Sequence, residues 1–380
     1  MARRAVKADR SRLKALGKVA ANFEGWAPAR EVLTPVRAVP TIFPMFDVAT
    51  RVGGCPLQRV ITLHGPSNHG KTTMAHGLGL SFLRHDNFYA LIDAEHTTPE
   101  DWILKLMGEQ MASHPGFLAK RPHDYEEVRA DVKAMLTMIM AEVAAENLPA
   151  DVATLVAVDS IRKLVPKGIL DKLMKDEGGV DGMGGRAGQI KAAHNAAWMD
   201  EMVPLLHDSN ASLLLIARES ENSAKKGIYD IDYKIGGGTA IIFDSSLLIR
   251  VERAAWVAIN KTKKNPGGTI IGERHRFTIS KTKVGGKEGK TTRGYFHTSN
   301  GVSNPEGFDL PRDLIEMGKG CGRFKVGGSW ITDQQTGEKW NGTEKAVSAL
   351  HALTPGQLDV YRRELLDACS PEEVDDEADS

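Results

Sequence analysis

Eight consecutive residues match the phosphate-loop pattern G-x-x-x-x-G-K-[ST]: Gly65, Pro66, Ser67, Asn68, His69, Gly70, Lys71 and Thr72. Glycine at both ends lets the backbone curl, so that successive N–H groups can point inward at phosphate oxygens. The Lys71 ammonium is long enough to reach the β- and γ-phosphates, and the Thr72 hydroxyl can ligate Mg²⁺. We therefore predict that this segment binds a nucleoside triphosphate with Mg²⁺.

The segments on both sides of this loop support the prediction. Residues 59–64 form an apolar run typical of a buried strand, and residues 73–83 have a helical pattern with Met74, Leu78 and Phe82 on one face. Such a helix would direct its positive N-terminal end at the phosphates. The alternative, a glycine-rich turn that ends in Lys-Thr by chance, does not account for these flanking elements.

Asp159 follows a second apolar strand, Thr154–Val158. An acid in this position commonly holds Mg²⁺, or a water bound to it, beside the hydroxyl of the phosphate loop. Many buried strands end in Asp at a turn, so Asp159 alone is a weak signal. Together with Lys71 and Thr72 it predicts a magnesium site.

Glu95 follows a third apolar strand, Tyr89–Ile92, which runs into Asp93-Ala94-Glu95-His96. In a parallel sheet, this strand end lies near the phosphate loop. Hydrolysis of a γ-phosphate needs a group that orients or deprotonates the attacking water, and Glu95 is our candidate. The alternative is an acidic helix start before Pro99, which needs no catalytic role.

The pattern between Thr41 and Asn300 indicates the fold that positions these residues. Strand-like runs are Val60–Leu63, Tyr89–Ile92, Thr154–Val158, Ser212–Ala217, Leu247–Val251 and Phe277–Ser280. Helical patterns are Thr72–Leu83, Pro99–Met107, Tyr125–Glu146, Gly188–His207 and Thr239–Phe243. Their alternation predicts an α/β fold with a mainly parallel central sheet covered by helices.

Two glycine-rich segments interrupt this rhythm, and we expect both to be functional loops. Residues 175–188 hold six glycines and lack periodicity. Residues 220–238 combine lysines, tyrosines and three final glycines, namely Lys225, Lys226, Tyr229, Tyr233, Lys234, Gly236, Gly237 and Gly238. Lysines for phosphates, tyrosines for base stacking and glycines for close backbone approach suit single-stranded nucleic acid.

Changes in composition suggest four regions. Residues 1–40 form a basic helical leader and a proline-containing linker, and residues 41–300 form the α/β core. Residues 301–366 are expected to form a small C-terminal α/β domain. Residues 367–380 contain seven acids and no base, which predicts a solvated tail.

Overall composition excludes several classes of protein. Lys+Arg and Asp+Glu are both 49, so net charge indicates no partner. No apolar run approaches the length of a membrane span, and the basic N-terminus lacks the apolar region of a signal peptide. Three distant cysteines, Cys55, Cys321 and Cys369, predict neither a disulfide framework nor a zinc site. We therefore expect a cytoplasmic protein without a membrane partner.

These motifs together resemble the RecA family of DNA strand-exchange recombinases. The resemblance rests on the order of the phosphate loop, Ile92–His96 and Val158–Ser160. Further matches are Phe46-Asp47, Gly53–Arg59, Gly237–Ala240 before Phe243, Lys281-Thr282-Lys283, and Trp330 with Gly337-Glu338-Lys339. The similarity covers roughly residues 41–366, and its divergence favours a remote member, such as a phage-encoded one.

The resemblance implies a role for each matching residue. Residues 65–73, including Thr73, would bind ATP, with Glu95 as the catalytic carboxylate and Thr72 and Asp159 at Mg²⁺. Trp102 would stack on adenine, although a buried helix tryptophan is the competing interpretation. The first glycine-rich segment would form one DNA loop through Met183, Gly184, Gly185 and Arg186, and the second segment another.

The resemblance also implies partners. Lys281 and Lys283 would reach the ATP of a neighbouring subunit in a helical homo-oligomeric filament, or else form an ordinary exposed basic strand edge. The filament would form on single-stranded DNA and pair it with a homologous duplex. The alternatives are a ring-forming helicase or repair accessory ATPase of the same fold, a non-hydrolysing DNA-binding scaffold and, least favoured, a small-molecule kinase.

One departure concerns the residues after strand Ser212–Ala217. The family usually has Asn-Gln there, and the Gln is expected to sense the γ-phosphate and signal to the second DNA loop. This chain has Arg218-Glu219. An ionised Glu219 cannot donate a hydrogen bond and would repel phosphate. Either Arg218 takes over this role or the coupling is altered.

Overall fold

The computed structural model describes residues 10–20, 22–24, 27, 29, 33, 35–174, 179–221, 233–262, 265–285, 288 and 292–369. For residues 10–13, 172–174, 179–186 and 221 it describes the backbone alone. The chain divides into two compact units, residues 1–36 and residues 37–380. The first unit contains helix α1 (Arg10–Ala20), and the other helices and strands whose bounds follow belong to the second.

A nine-stranded sheet organises the second unit, in the order β13-β12-β11-β10-β3-β7-β6-β4-β5. The bounds of its strands are β3 (Val60–His64), β4 (Phe88–Asp93), β5 (Phe117–Lys120), β6 (Thr154–Asp159), β7 (Ala211–Ile216), β10 (Leu247–Ile259), β11 (Thr269–Thr282), β12 (Arg293–Ser299) and β13 (Gly307–Phe308). Strands β10, β3, β7, β6, β4 and β5 pair in parallel, and β10 to β13 pair antiparallel. The predicted α/β fold with a mainly parallel sheet is confirmed.

Helices and three small sheets make up the rest of the described part of the second unit. The helices are α2 (Pro44–Thr50), α3 (Lys71–Leu83), α4 (Glu100–Met107), α5 (Glu109–Ala112), α6 (Tyr125–Ala144), α7 (Lys167–Met174), α8 (Gly179–Asp208), α9 (Thr239–Asp244), α10 (Leu310–Gly320), α11 (Thr343–His351) and α12 (Pro355–Ala368), with a short 3₁₀ helix at Ile161–Lys163. The small sheets pair β1 (Ala38–Val39) with β2 (Cys55–Pro56), β8 (Glu219–Glu221) with β9 (Tyr233–Ile235), and β14 (Phe324–Gly327) with β15 (Trp330–Asp333) and β16 (Lys339–Asn341).

Helices cover the middle of the sheet, which explains its apolar strands. Strands β3, β6 and β7 are buried along their whole length, as expected for parallel strands packed on both faces. Alternate residues such as Val156 and Leu213 join one core cluster with Tyr125 of α6 and Trp198 of α8. Helix α3 packs against β4 and β6. This packing holds the ends of the strands in fixed positions.

Strands β10 and β11 form a hairpin that is longer than predicted. We predicted strands only at Leu247–Val251 and Phe277–Ser280, and both extend well beyond these limits. Polar residues interrupt the apolar pattern there, but the two strands pair with each other as far as Ile259 and Thr269. Cross-strand pairs such as Arg253–Glu273, with 2.9 Å between nitrogen and oxygen, supply partners that periodicity does not reveal.

The expected loop at residues 175–188 is wrong for its larger part, because helix α8 already begins at Gly179. Met183, Gly184, Gly185 and Arg186 thus lie on helical backbone, and residues 175–178 lie outside the described residues. A glycine inside a helix costs only about 1 kcal/mol relative to alanine. Extending a helix that has already been nucleated can offset that cost.

The prediction that the cysteines form no disulfide is wrong for two of them, which lie in the C-terminal part of the chain. Strands β14 to β16 and helices α10 to α12 bring Cys321 and Cys369, which follow α10 and α12, into a disulfide with 5.2 Å between their Cα atoms. The residues are 48 positions apart, so sequence spacing did not reveal the pairing. The boundary at residue 300 stays a prediction. Within the described part of the chain, no helix combines the length and apolarity needed to cross a membrane.

Two glycines of the helices provide a test of packing. A Cβ on Gly79 would lie 2.4–2.5 Å from three ring atoms of Tyr89, whereas a Cβ on Gly188 would meet nothing within 4 Å. Gly79→Ala should therefore destabilise the protein by about 1–3 kcal/mol through overpacking. Gly188→Ala should stabilise it by about 0.5–1 kcal/mol through helix propensity. Urea unfolding measures both, and equal effects would contradict this account of the core.

Candidate active site

The phosphate loop depends on glycine at both ends. Gly65 and Gly70 have φ values of 149° and 93°. A Cβ on Gly65 would lie 2.2 Å from the carbonyl oxygen of Val251, and one on Gly70 would lie 2.4 Å from the His275 ring. The loop is therefore pressed against β10 and β11, where only glycine fits.

Hydrogen bonds from these strands hold the loop in shape. The backbone N–H of Arg253 donates to His69 Nδ1 at 3.1 Å, and its guanidinium donates to the Asn68 carbonyl at 2.9 Å. His275 Nδ1 lies 3.3 Å from the His69 carbonyl oxygen. Ser67 and Asn68 remain exposed at the tip, and Pro66 is half-buried. The long hairpin thus fixes the loop from one side.

Lys71 turns back over the loop. Its ammonium donates to the carbonyl oxygens of Gly65 at 3.1 Å and Pro66 at 2.6 Å. Burial lowers the pKa of Lys71, and the nearby Asp159 carboxylate opposes this shift. The cation that the sequence assigns to the phosphates therefore lies within the loop.

Thr72 and Asp159, the predicted magnesium ligands, contact each other. The Thr72 hydroxyl donates to Asp159 Oδ2 at 2.6 Å across the ends of two different elements. Burial, opposed by the Thr72 hydrogen bond and aided by the neighbouring carboxylates Glu95 and Asp93, raises the pKa of Asp159 to about 6. A buried carboxylate beside a hydroxyl supplies the oxygen ligands that Mg²⁺ prefers, so these residues fit the ion.

Glu95 lies at the neighbouring strand end, and both of its oxygens have partners. Oε1 accepts from the Ser160 hydroxyl at 2.7 Å and from Arg218 Nη2 at 3.0 Å, and Oε2 accepts from the same nitrogen at 2.9 Å. The Glu95 backbone N–H also donates to the Asp159 carbonyl at 3.0 Å. The candidate carboxylate therefore lies beside Thr72 and Asp159, the predicted magnesium ligands, and it is held in an ion pair.

Asp93 has a structural role. Its carboxylate accepts from the backbone N–H groups of Thr97 and Thr98 at 3.2 Å each, and from Arg121 Nε at 3.1 Å. The alternative interpretation, an acidic residue that caps the turn before α4, thus holds for Asp93. Glu95 has different partners, Ser160 and Arg218, so this interpretation does not extend to it.

The Glu219 carboxylate contacts His64, at the end of β3, and Arg250 of β10. Neither partner was predicted from the sequence. Glu219 Oε1 accepts from His64 Nδ1 and from Arg250 Nε, both at 2.8 Å, and Oε2 accepts from Arg250 Nη2 at 3.1 Å. Burial by itself would raise the pKa of Glu219, but these bonds outweigh it and keep the pKa below its usual range. The sequence offered one sign of this contact, because His64 is a polar residue at the end of an otherwise apolar strand.

Trp102 lines a cavity of about 200 Å³ that Thr73, from the start of α3, also lines. Trp256, Gly272 and Asn300 also line it. The Trp102 ring also packs edge-on against buried His76, with 5.0 Å between centroids. Both interpretations of Trp102, adenine stacking and core packing, therefore stay open.

Lys281 and Lys283 bind the end of α9. Lys281 Nζ donates to the carbonyls of Ile242 at 2.6 Å and Phe243 at 2.8 Å, and Lys283 Nζ donates to Phe243 at 2.6 Å. Burial and the neighbouring Lys283 lower the pKa of Lys281. Among the described hydrogen bonds and ion pairs of this single chain, none joins these lysines to residues 65–73.

The second glycine-rich segment is described only at its ends. Tyr233 lies half-buried beneath the Arg250 guanidinium, 4.8 Å from the ring centroid, and Lys234 is exposed. Gly236 donates its N–H to the Arg218 carbonyl at 2.9 Å. Gly237 and Gly238 have positive φ values of 105° and 92° and lead into α9. Lys225, Lys226 and Tyr229 lie outside the described residues.

Comparison with known proteins identifies similar chains. Residues 28–293 match the family model of the RecA N-terminal domain. Protein RecA of Mycobacteroides abscessus is 27% identical over 303 residues, which cover 80% of this chain and 75% of that protein. Protein RecA of Mycolicibacterium gilvum is 26% identical over 336 residues, covering 87% and 84%. Protein RecA of Nocardia farcinica is 26% identical over 336 residues, covering 87% and 85%.

The raised pKa of Asp159 yields a stability prediction. Because the folded-state value of about 6 exceeds the reference value of 3.8, ionised Asp159 lowers stability at neutral pH, and this penalty fades as the pH falls below 6. Without nucleotide or Mg²⁺, Asp159→Asn should therefore raise the free energy of unfolding at pH 7.5 by about 1–3 kcal/mol. The gain should shrink toward pH 4.

Chemical unfolding between pH 4 and pH 8 measures this difference. Asp200→Asn, an exposed substitution on α8, is the control and should change stability little at any pH. ATP with Mg²⁺ should raise the unfolding temperature of the wild type more than that of Asp159→Asn. A variant less stable than the wild type at pH 7.5 would contradict the burial penalty.

Proposed function

This chain belongs to the RecA family, and on that premise we propose that it is an ATP-dependent DNA recombinase. It would form helical filaments on single-stranded DNA, pair that DNA with a homologous duplex and exchange strands. The observation that carries the proposal is the convergence of the phosphate loop, Thr72–Asp159 and Glu95 at one edge of the sheet.

The residues of this edge have separate tasks in the proposal. Residues 65–73 bind ATP through backbone N–H groups, and Lys71 neutralises phosphate charge. Thr72 and Asp159 hold Mg²⁺, which supplies further charge neutralisation when bound. Glu95 orients the attacking water. For Glu95 to act in this way, its ion pair with Arg218 must open.

The remaining assignments concern adenine and DNA. Trp102 stacks on adenine in the cavity that it lines together with Thr73. Lys225, Lys226, Tyr229 and Lys234 contact single-stranded DNA, with Gly236, Gly237 and Gly238 allowing close backbone approach. Tyr233 is a weaker candidate, because its ring already packs against Arg250. The proposed location is the cytoplasm, where a disulfide such as Cys321–Cys369 is rare.

One observation supports a second candidate, a DNA-binding scaffold that does not hydrolyse ATP. Both carboxylate oxygens of Glu95 are held by Arg218 and Ser160. If this arrangement persisted with ATP bound, Glu95 could not accept a proton from water. The hydrogen bond between Thr72 and Asp159, with the charge of Lys71 close enough to act on Asp159, nevertheless favours the ATPase.

The rate of ATP hydrolysis with and without single-stranded DNA tests the proposal. We expect strong stimulation by DNA. Lys71→Ala should abolish productive ATP binding, because it removes the cation that neutralises the phosphates. Glu95→Gln should still bind ATP and DNA but hydrolyse ATP roughly 100-fold more slowly, since an amide cannot act as the base.

Glu142→Gln is the matched control, because the side chain of this exposed acid on α6 bonds only Asn147 among the described residues. Its rate should equal that of the wild type. A wild-type rate in Glu95→Gln would remove Glu95 from the chemistry. ATP and DNA binding without hydrolysis in the wild type would select the scaffold.

The two lysines of β11 and its following turn are proposed to act in trans. In an open filament, each subunit presents one surface to the next, so lysines can contact the neighbour's ATP. Lys281 and Lys283 would have to exchange the carbonyls of α9 for this ligand. Replacing both by Ala should leave ATP binding by one subunit nearly intact and reduce DNA-stimulated hydrolysis.

Mixing this double variant with Glu95→Gln protein tests the assignment directly. Mixed filaments contain seams where an intact Glu95 faces intact lysines, so partial hydrolysis should return. Light scattering or electron microscopy checks that the two proteins assemble together on DNA. If co-assembled mixtures regain no activity, the lysines act within their own chain.

A further inference from the structure

Two cysteines meet at the ends of two helices in the C-terminal part of the chain. Cys321 directly follows α10 and Cys369 directly follows α12, and their Cα atoms lie 5.2 Å apart. This separation lies within the range of about 4.4–6.8 Å that disulfides usually span. The bond can therefore form between the two helices where they already lie, without a movement of the backbone.

Other contacts hold α12 in place without this bond. Leu365 is fully buried, and a Cβ on Gly318 of α10 would lie 3.2 Å from its Cδ2 atom. The Tyr361 hydroxyl donates to Asp333 Oδ2 at 2.7 Å, and the Arg362 guanidinium donates to a backbone carbonyl before α2 at 2.7 Å. The packing of this part of α12 therefore does not depend on the disulfide.

The last turn of α12 is attached differently. Among the described residues, no hydrogen bond or ion pair joins the side chains or backbone of residues 366–369 to another element, so the disulfide is the bond that ties this turn to α10. The acidic residues 370–380 follow Cys369 directly in the chain. Opening the disulfide would therefore free the turn from which these acidic residues continue, and leave the rest of the helix packed.

The cysteines differ in how well a small molecule can reach them. Cys321 is partly exposed, whereas Cys369 is only 6% exposed. Exchange between thiols and disulfides begins when a thiolate attacks a sulfur, so a small molecule would react with this pair through Cys321. Cys55 provides a contrast, because it is fully buried and burial raises the pKa of its thiol.

We propose that Cys321 and Cys369 form a reversible redox site, which small-molecule disulfides close and small-molecule thiols open. Two observations favour a reversible site over a permanent one, namely that α12 packs without the bond and that Cys321 is open to attack. In the closed state, the site fixes the last turn of α12 against α10. The inference does not rest on the proposed ATPase function.

The reaction at this site balances in atoms and electrons. To close the site, the Cys321 thiolate attacks a small-molecule disulfide and expels one half of it as a thiolate. The Cys369 thiolate then attacks the Cys321 sulfur and expels the second half. The two cysteines lose two electrons and two protons, and the small-molecule disulfide gains them as two thiols. Two small-molecule thiols open the site by the reverse steps.

Counting thiols in the full-length protein tests the reversibility. The native protein is incubated with excess oxidised or excess reduced glutathione, quenched with acid, unfolded and alkylated for mass spectrometry. We expect one alkylated cysteine, Cys55, after oxidised glutathione, and three after reduced glutathione. Three thiols after oxidised glutathione, or a glutathione that stays on Cys321, would overturn the proposal. One thiol after reduced glutathione would also overturn it, because structural disulfides resist this reductant.

Hydrogen exchange tests where the bond acts. Reduction should speed exchange in peptides that cover residues 366–369 roughly tenfold or more, because the last turn of α12 loses its attachment. Exchange in α11 should stay unchanged. Equal exchange of residues 366–369 in both states would overturn the proposal. Loss of protection throughout α10, α11 and α12 on reduction would do so as well, because the disulfide would then be structural.

Cysteine variants complete this test. Cys369→Ser should exchange like the reduced wild type in both glutathione solutions, and Cys321→Ser is the second variant in case Cys369→Ser does not fold. Cys55→Ala is the matched control, because it removes a cysteine and keeps the proposed pair, and it should respond to glutathione as the wild type does. A Cys369→Ser protein that still responds to glutathione would overturn the assignment to this pair.

Discussion

Parallel pairing of four neighbouring strands is the constraint on which the candidate active site depends. Because β3, β7, β6 and β4 run in the same direction, their carboxyl ends lie at one edge of the sheet. The phosphate loop, Arg218, Asp159 and Glu95 lie at or just after the ends of these strands, in that order. Residues far apart in sequence thereby come within hydrogen-bond distance, and the buried cores of the strands keep them there.

The same edge concentrates charge in a partly dry environment. Burial raises the pKa of Asp159 and lowers that of Lys71, so each group is held in a setting that disfavours its charged form. Nearby charges of opposite sign limit the cost, as in the pair of Arg218 with Glu95. A triphosphate with Mg²⁺ would bring a complementary charge distribution. Burying these charged groups lowers the stability of the protein without ligand, and binding of a triphosphate with Mg²⁺ would relieve that destabilisation.

The residues around Glu219 show how one altered dipeptide can be accommodated. An acid near a phosphate site is unfavourable, but Glu219 is directed toward His64 and Arg250 instead. Arg250 in turn lies over Tyr233 of β9. Glu219, at the start of β8, is therefore held by residues of β3 and β10. The adjacent Arg218 contacts Glu95 instead.

The sequence by itself determined the elements whose signals are local. Glycine spacing and the Lys-Thr pair identified the phosphate loop, since positive φ values and the loop's close contacts require particular residues there. Apolar runs identified the strands that end in Glu95 and Asp159, because strands buried on both faces must be apolar throughout. The parallel sheet and the contact between Thr72 and Asp159 followed from these signals.

Only the tertiary structure decided which charged groups pair. Arg218 could have faced solvent or phosphate, and its bond to Glu95 joins residues 123 positions apart. Likewise, the partners His64 and Arg250 of Glu219, the full length of β10 and β11 and the Cys321–Cys369 disulfide depend on distant segments meeting. The helical start of α8 depends on the stability of the helix that it extends. Periodicity reports burial along one element, whereas pairing between elements depends on their arrangement in space.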